Sequence, residues 1–298
     1  EHLLSEYLGY YQMSHQYLKD VESRVSGTTR SRISRKNLGL IEIPIPPLSE
    51  QKQIVEILDK AFAAIDQAKA NIEKNIENAK ELFQSEREQT FRSAMDFSNG
   101  ESAILKKICT IKTGKLNANA MVENGQYPFF TCSREIYSIN EYAFDTEAVL
   151  LAGNNASGDF NVKYYKGKFN AYQRTYVITI NNNGRLDYSF LKHKLEHNLQ
   201  VFKKQSVGAN TRFLKIGMIN ELEVPLPPIN VQQNLCLKLD KIYDQTNTLM
   251  TTFEKKLSSL EELKKSILQK AFVGELIKEE TESILQMAAE PGVKYKHK

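Results

Sequence analysis

The chain of 298 residues has no tryptophan and only three cysteines, Cys109, Cys132 and Cys236, which lie far apart and form no C-x-x-C pair. That pattern excludes a disulfide-stapled scaffold and the usual zinc spacings, and it points to a reducing compartment, the cytoplasm. No stretch approaches the roughly 20 apolar residues of a membrane-spanning helix; the longest apolar cluster, residues 148–152, suits a buried strand. Also missing are G-x-G-x-x-G and G-x-x-x-x-G-K-[ST], the loops that cradle dinucleotides and triphosphates, and the G-x-S-x-G nucleophile elbow. No catalytic residue, cofactor or metal ligand is assigned.

A strong excess of one charge is lacking too: forty basic against 36 acidic side chains leave +4. The distribution is uneven, however. Residues 160–215 hold eleven Lys and Arg against only Asp187 and Glu196, a local +9, whereas the remaining 242 residues carry −5. Such a stretch is either a solvated basic face or the electrostatic footprint of a nucleic-acid site. At 41% apolar and 26% charged residues the composition is that of a globular chain, and at about 150 residues per domain the length suggests two domains.

What the chain does contain is a copy of itself. "IEIPIPPLSEQKQIVEILDKAF" (41–62) and "LEVPLPPINVQQNLCLKLDKIY" (222–243) superpose without a gap at an offset of 181, placing Pro44, Pro46 and Pro47 on Pro225, Pro227 and Pro228. Extended over 27–91 against 208–272, the register gives 15 identities in 65 positions, among them Gln51/Gln232, Asp59/Asp240 and Phe91/Phe272. A period this long means duplicated domains rather than a solenoid. In each copy prolines hold a short extended segment, and a long helix follows from near Ser49 or Asn230. Its seam residues step by three and four: Leu58, Ala61, Ile65, Ala68, Ile72, Ile76, Ala79 and Phe83 in the first, and Ile242, Thr246, Leu249, Phe253, Leu257, Leu260, Leu263 and Ile267 in the second. From Ser49 to Ala94 the first helix runs roughly 70 Å, and the simplest partner for each stripe is the other helix. The other reading packs each helix on its own globular neighbour.

Between the helices the texture becomes β-rich. "YPFFTC", "AVLLAG", "VKYYKGKFNA" and "RTYVITI" read as strands, Asn124-Gly and Gly167-Lys as turns, and residues 186–205 as one amphipathic helix. The loops "KTGKLNANA", "AGNNASGD", "FNAYQRTY" and "VGANTRF" are rich in the Arg, Asn and Gln side chains that read base edges and the Lys that holds phosphates. Within the helix, His193-Lys-Leu-Glu196-His197 matches the H-x-x-E-H pattern of inverted zinc peptidases. Its apolar face is Leu191, Leu195, Leu199 and Phe202, so both histidines are expected to face solvent, and no downstream acidic ligand accompanies them.

These residues resemble the DNA-specificity subunits of type I restriction-modification enzymes. The likeness rests on "IPIPPLSEQKQIVEILD" and its echo, on the Gly27-Thr-Thr and Gly208-Ala-Asn-Thr-Arg turns before them, and on "SILQKAFVGEL" closing the second helix. It implies an α+β fold, a mixed α/β target-recognition domain flanked by two long helices that pair as an antiparallel coiled coil. The implied layout is a tail of a first recognition domain (1–47), a first spacer helix (48–98), a complete second recognition domain (99–228), a second helix (229–276) and a disordered tail (277–298). The resemblance further implies a non-catalytic subunit that binds double-stranded DNA, reads half of a split target and docks two modification subunits, which carry the adenine methylation; restriction subunits can join them, and the sequence does not tell whether they do. An Asn- or Asp-Pro-Pro-aromatic tetrapeptide of an amino-methyltransferase is absent.

By the 181 offset Glu1 falls on Asn182, so the counterpart of residues 101–181 is missing ahead of it. The chain is then either a fragment or a shortened subunit that self-associates through its long helices. For base reading the expected residues are Lys115, Asn117, Asn119, Arg134, Asn154, Asn155, Gln173, Arg174, Asn210 and Arg212, and for phosphates Lys163, Lys166, Lys168, Lys203 and Lys204. Another class of function, a coiled-coil scaffold with a protein-binding domain, stays open on the sequence.

Overall fold

The computed structural model describes residues 2–27, 30–181 and 184–275. The expected tail 277–298 and Thr28 and Thr29 of the first turn motif lie outside them. The described residues form two compact units, 2–80 with 246–275, and 81–245. In chain order the elements are α1 (Ser5–Met13), α2 (His15–Ser23), α3 (Arg35–Leu38), α4 (Leu48–Phe97), β1 (Ser102–Ile104), α5 (Leu105–Ile108), β2 (Cys109–Thr113), β3 (Tyr127–Phe130), β4 (Ile136–Ile139), β5 (Phe144–Ala152), β6 (Asn154–Asn155), β7 (Val162–Ala171), β8 (Thr175–Ile180), α6 (Tyr188–His197), α7 (Leu199–Gln205), β9 (Arg212–Phe213), α8 (Ile216–Asn220), β10 (Glu223–Pro225) and α9 (Ile229–Phe272).

Both long helices begin one residue after a Pro-Pro pair, where proline blocks earlier helical turns but leaves its carbonyl to accept the first bond. The Gln51 and Gln232 amides donate to the carbonyls of Pro47 and Pro228, at 3.0 Å each. α4 runs 50 residues and α9 runs 44. α4 stops where Asn99 (φ 53°) and Gly100 (φ 79°) turn left-handed and the Gly100 amide donates to the Met95 carbonyl at 3.1 Å.

In the first unit, Leu58, Ala61, Phe62 and Ile65 of α4 bury against Ile267, Leu268 and Ala271 of α9. Lys264 bonds Asp66 at 3.0 Å and Lys69 bonds Glu261, so residue numbers rise on one helix as they fall on the other. The second unit repeats the antiparallel pattern with Phe83 beside Tyr243 and Lys238 bonded to Glu86 at 3.0 Å. The helices pair with each other, and each also holds globular neighbours. In the first unit Tyr7 and Tyr11 pack edge-on against Phe272; in the second Phe190 packs against Phe91.

The second unit is built on a six-stranded sheet in the order β2-β8-β5-β7-β3-β4, antiparallel except for the β3–β7 pair. β5 is buried on both faces. Val149 and Leu151 meet Phe190, Leu191 and Leu195 of α6. Ala148 and Leu150 meet Phe130, Phe169, Ala171 and Val177, all from strands of the same sheet, so the sheet must curl to cover its own face. Four expected strands appear as β3, β5, β7 and β8. Gly167 departs from expectation: it lies within β7 with φ 131°, opposite Thr146, and kinks a continuous strand rather than turning the chain. The expected single helix over 186–205 breaks at Asn198 into α6 and α7; Asp187 caps α6 by accepting from the Ser189 and Phe190 amides. Burial pushes the Cys109 and Cys236 thiols up to about 12, which leaves both as packing groups.

The duplication is visible in space. Gly27 and Gly208 both turn left-handed (φ 112° and 114°), and the bridges Ser26–Arg32 and Val207–Phe213 close equivalent loops. Gln51 and Gln232 are fully buried and each amide donates to the carbonyl of its own Pro-Pro segment, Pro46 at 2.7 Å and Pro227 at 2.8 Å. Upstream the register slips. Gln51 also bonds the His2 carbonyl and the Leu4 amide, whereas Gln232 bonds the Arg185 carbonyl and the Asp187 amide, an offset of 183. Position 2 therefore matches 185, which corrects the expected match of Glu1 to Asn182.

Candidate nucleic-acid interface

One end of the curled sheet collects the polar loops. Thr175 opens β8 beside Ala152 at the end of β5, so the turn 172–174 and the loop after β5 meet there. Short backbone bonds tie them: Gly153 amide to Arg174 carbonyl and Leu214 amide to Gly153 carbonyl, both 2.8 Å, and Gln173 amide to Leu116 carbonyl at 2.9 Å. Glycine is required at two of these crossings. A Cβ on Gly153 would lie 2.3 Å from the Arg174 carbonyl oxygen, and one on Gly114 would lie 1.8 Å from that of Ala171. β6 pairs with β9, setting Asn154 and Asn155 beside Phe213 and Arg212. The loop after β3 joins through Asn161, whose Nδ2 donates to the Cys132 carbonyl at 2.9 Å.

This geometry gathers many expected residues. Lys115 and Asn117 are exposed, and Asn117 Oδ1 accepts from Gln173 Nε2 at 2.8 Å. Arg174 is exposed with its guanidinium 5.7 Å above the Phe213 ring. Arg134 pairs with Asp159 at 2.7 Å, both well exposed. Arg212 is half-buried and donates to the Ser206 carbonyl at 3.3 Å. Lys203, in the last turn of α7, has its Cγ 3.3 Å from where a Cβ of Gly158 would stand, beside Arg212. Asn154 is half-buried on β6. Asn119, Lys204 and Asn210 are exposed, Asn119 in the 3-10 turn Ala118–Ala120, Lys204 on α7 and Asn210 in the loop before β9.

Other expected residues are placed elsewhere or used internally. Lys166 and Lys168 lie opposite Glu147 and Asp145, toward the Phe144 end of β5 and apart from the loop cluster. Lys166 pairs with Glu147 at 3.2 Å, and Lys168 Nζ sits 4.7 Å over the Tyr142 ring. Lys163 is half-buried and donates to the Ser133 carbonyl and, at 2.9 Å, to Asn161 Oδ1; burial pulls its ammonium below the usual lysine range. Its charge braces the loop after β3 instead of projecting to a phosphate. Asn155 Oδ1 accepts from the Ser157 and Asp159 amides at 2.9 and 3.2 Å, which shapes its loop. Asn170 is buried, bonded to the Glu141 carbonyl at 3.1 Å. Sequence reading missed Asp159, Asn161 and Ser133, which position Arg134 and Lys163. Asn161, directly before β7, and Lys163 two residues on, within it, were the available signal.

The expectation of solvent-facing histidines is overturned. His193 is 3% exposed, with Nε2 3.0 Å from Asp240 of α9 and Nδ1 3.3 Å from Glu196 without hydrogen-bond alignment. α6 lies between the sheet and the long helices, so the residues off its apolar face meet α4 and α9. His197 stacks at 4.9 Å on Phe91 of α4, and burial, with Lys194 and Arg87 nearby, lowers it to about 4. Both imidazoles serve this junction.

A family model described as the type I restriction modification DNA specificity domain matches residues 1–78 and 98–259. The chain belongs to that family. It is 39% identical over 175 residues to the type I restriction enzyme EcoDI specificity subunit of Escherichia coli, covering 59% of this chain and 38% of that one. Against the StySPI specificity subunit of Salmonella potsdam it is 22% identical over 301 residues, 91% of this chain and 65% of the relative. The chain thus spans between about four tenths and two thirds of these relatives' lengths. Among solved structures, a chain from a study of assembly and conformational transition of a type I R-M system matches 91% of this chain, and 71% of its own length, with TM-score 0.75 at 19% identity. The HsdS subunit from Thermoanaerobacter tengcongensis matches with TM-score 0.57 at 18% identity, covering 91% of this chain and 70% of that one. Those two likenesses establish the shared fold. Among the described residues no helix is long and apolar enough to cross a membrane.

Proposed function

We propose that this chain is a non-catalytic recognition subunit of a type I restriction-modification system, reading one half of a split double-stranded DNA target. The supporting observation is the convergence of Lys115, Asn117, Arg134, Asn154, Gln173, Arg174, Lys203 and Arg212 at one end of the sheet. Arg, Asn and Gln carry the paired donors and acceptors that distinguish base edges in the major groove, and Lys supplies charge for phosphates. The proposed readers are Arg134, Asn117, Gln173 and Arg174, held on backbone crossings. Arg134 exchanges Asp159 for a base or phosphate on binding. Asn119, Lys204 and Asn210 flank the cluster; Lys166 and Lys168 form a separate basic strip that a bent or long duplex reaches.

In the same reading, the paired helices act as a spacer and dock two modification subunits, with restriction subunits joining the assembly. The helix faces left exposed by the α4–α9 seams supply that surface. Family membership and relatives named as specificity subunits support this role over a protein-binding scaffold.

The deciding experiment compares adenine methylation across the source genome with and without this gene. The expected result is loss of one bipartite mark. Duplexes carrying that mark then bind the purified complex with an affinity that falls steeply with salt, as counterion release requires. Methylation unchanged on deletion, or salt-insensitive binding to protein alone, overturns the proposal.

A further inference from the structure

At the loop end of the sheet two distant segments meet in register. Leu116 and Tyr172 form a parallel bridge, the Gln173 amide donates to the Leu116 carbonyl at 2.9 Å, and the Tyr172 amide donates to the Phe130 carbonyl at 2.9 Å. Gly114 permits the approach, since a Cβ there would also lie 2.6 Å from the Tyr172 carbonyl oxygen. Gln173 and Arg174 are the central pair of a four-residue turn, closed by the Thr175 amide on the Tyr172 carbonyl at 2.8 Å. Thr175 is buried, and its hydroxyl donates to the Phe130 carbonyl at 3.2 Å. The turn is therefore anchored on both sides, and the exposed side chain of Gln173 starts from a fixed point.

Asn117 departs from its local habit. It directly precedes the 3-10 turn Ala118–Ala120 with an extended backbone (φ −77°, ψ 159°), the position from which an asparagine side chain ordinarily accepts from the amides of the turn. It makes no such bond. Its Oδ1 accepts instead from Nε2 of Gln173, 56 residues on in the chain, at 2.8 Å. An amide nitrogen carries two hydrogens. Asn117 takes one of them, while the second and Oε1 of Gln173 have no partner among the described residues. With the Asn117 oxygen opposite, Gln173 turns its nitrogen and not its oxygen toward that neighbour, so one edge of donor beside acceptor stays open in a held orientation.

We infer, on the DNA-recognition role proposed above, that Gln173 and Asn117 act as one reader, whose ligand is the major-groove edge of an adenine that stays stacked in the duplex. Adenine offers an N7 acceptor beside an N6 donor, which fills both open groups of the Gln173 amide. Guanine offers two acceptors, cytosine a donor, and thymine an acceptor and a methyl group, so each leaves one of the two groups unmatched. Gln173 makes the base contact. Asn117 takes part through it, as a positioning residue that removes rotamer freedom from a long side chain before DNA arrives. The adenine so read is distinct from the one that is methylated, because a base undergoing chemistry leaves the stack.

The test takes the purified complex and duplexes carrying the bipartite site that the methylation comparison defines. Each adenine in turn is replaced by 7-deazaadenine, which removes the N7 acceptor and keeps Watson–Crick pairing, and affinities are measured by competition. The expected result is a loss of about ten-fold at one adenine other than the methylated one. Gln173→Ala binds the natural and the substituted duplex equally. Asn117→Ala lowers the ratio between them to about three-fold, and Asn117→Asp, which keeps an acceptor for Gln173, restores it. A purely structural role for either residue would weaken both duplexes alike and leave the ratio unchanged. Three outcomes overturn the inference while DNA recognition stands: no sensitive adenine outside the methylated position, a ratio that survives Gln173→Ala, or a ratio indifferent to Asn117→Ala. Failure to bind the unsubstituted duplex overturns the recognition role itself, and the adenine assignment with it.

Discussion

Replacing Gln232 by leucine isolates what holds the start of α9 to the segment before α6. The side chain is fully buried, with Nε2 donating to the carbonyls of Arg185 and Pro227 at 2.8 Å each and Oε1 accepting from the Asp187 amide at 2.9 Å. Leucine keeps most of the volume and the helix propensity, so the cavity contribution is small and the change strips three hydrogen bonds, one of them, to Pro227, fully buried. At about 1 kcal/mol for each bond lost in this way, the expected destabilisation is about 3 kcal/mol. Urea unfolding followed by circular dichroism measures it as a lower midpoint at unchanged slope in the transition of the affected unit. Gln51→Leu, which removes the bonds to His2, Leu4 and Pro46, is expected to cost the other unit a similar amount. The two glutamines share no partner, so the double variant should lose the sum within about 0.5 kcal/mol. A loss below about 0.5 kcal/mol in both single variants refutes the view that these amides carry the junctions.

Arg174→Ala is expected to cost about 1–3 kcal/mol on the marked duplex and to relax preference at one base pair, measured by competition binding. Lys203→Ala, by contrast, weakens binding to all duplexes alike and lowers the salt slope by about one. Lys163→Met leaves the salt slope unchanged and shows instead as lower thermal stability, because its ammonium is spent on Ser133 and Asn161. Gly208→Ala strains a φ of 114° and drives a Cβ to 2.0 Å from the Thr211 carbonyl oxygen; a loss of about 2 kcal/mol or more in unfolding free energy is expected. His197, lowered to about 4 by burial first and by Lys194 and Arg87 next, is neutral in the folded chain while its unfolded form titrates near 6.5. Its contribution is present above that unfolded value and is lost as pH falls toward 4. Allowing for partial exposure, His197→Phe should remove about 1–2 kcal/mol of pH dependence between those limits in an unfolding series.

The two long helices and the strands β3, β5, β7 and β8 are legible in the sequence because each buries a periodic face or an apolar run: three-and-four steps in α4 and α9, and residues such as Leu150 and Leu151 in β5. The short strands β1, β4 and β10 are not, since three or four residues carry no period and owe their form to the strand beside them. The candidate interface was legible as residue types and only partly as places. Which of its lysines face outward depends on neighbours such as Ser133, Asn161 and Glu147, which are distant in sequence from one another and adjacent only after the sheet has curled. Gly167 misled for the same reason, a turn residue by local habit that a ten-residue strand absorbs as a kink.

The duplication was readable on one side of each junction only, and the chemistry of the contacts explains which side. Gln51 and Gln232 reach backbone groups of the segment before α1 and of that before α6. Backbone groups are the same whatever the side chains, so the helix must keep its glutamine while the partner segment drifts without cost, even by the two residues that shift the offset from 181 to 183. Asp59 and Asp240 show the next degree of freedom. The first accepts from the Tyr10 hydroxyl and the second faces His193, two residues related by that shifted register. An aspartate needs only a donor at the right height on the facing helix, and phenol and imidazole both supply one. Each long helix therefore carries a fixed socket of glutamine and aspartate, and a domain packed on it needs only a free pair of backbone groups and one donor to plug into it. Domains of unrelated loop sequence can occupy the same socket without disturbing the paired helices.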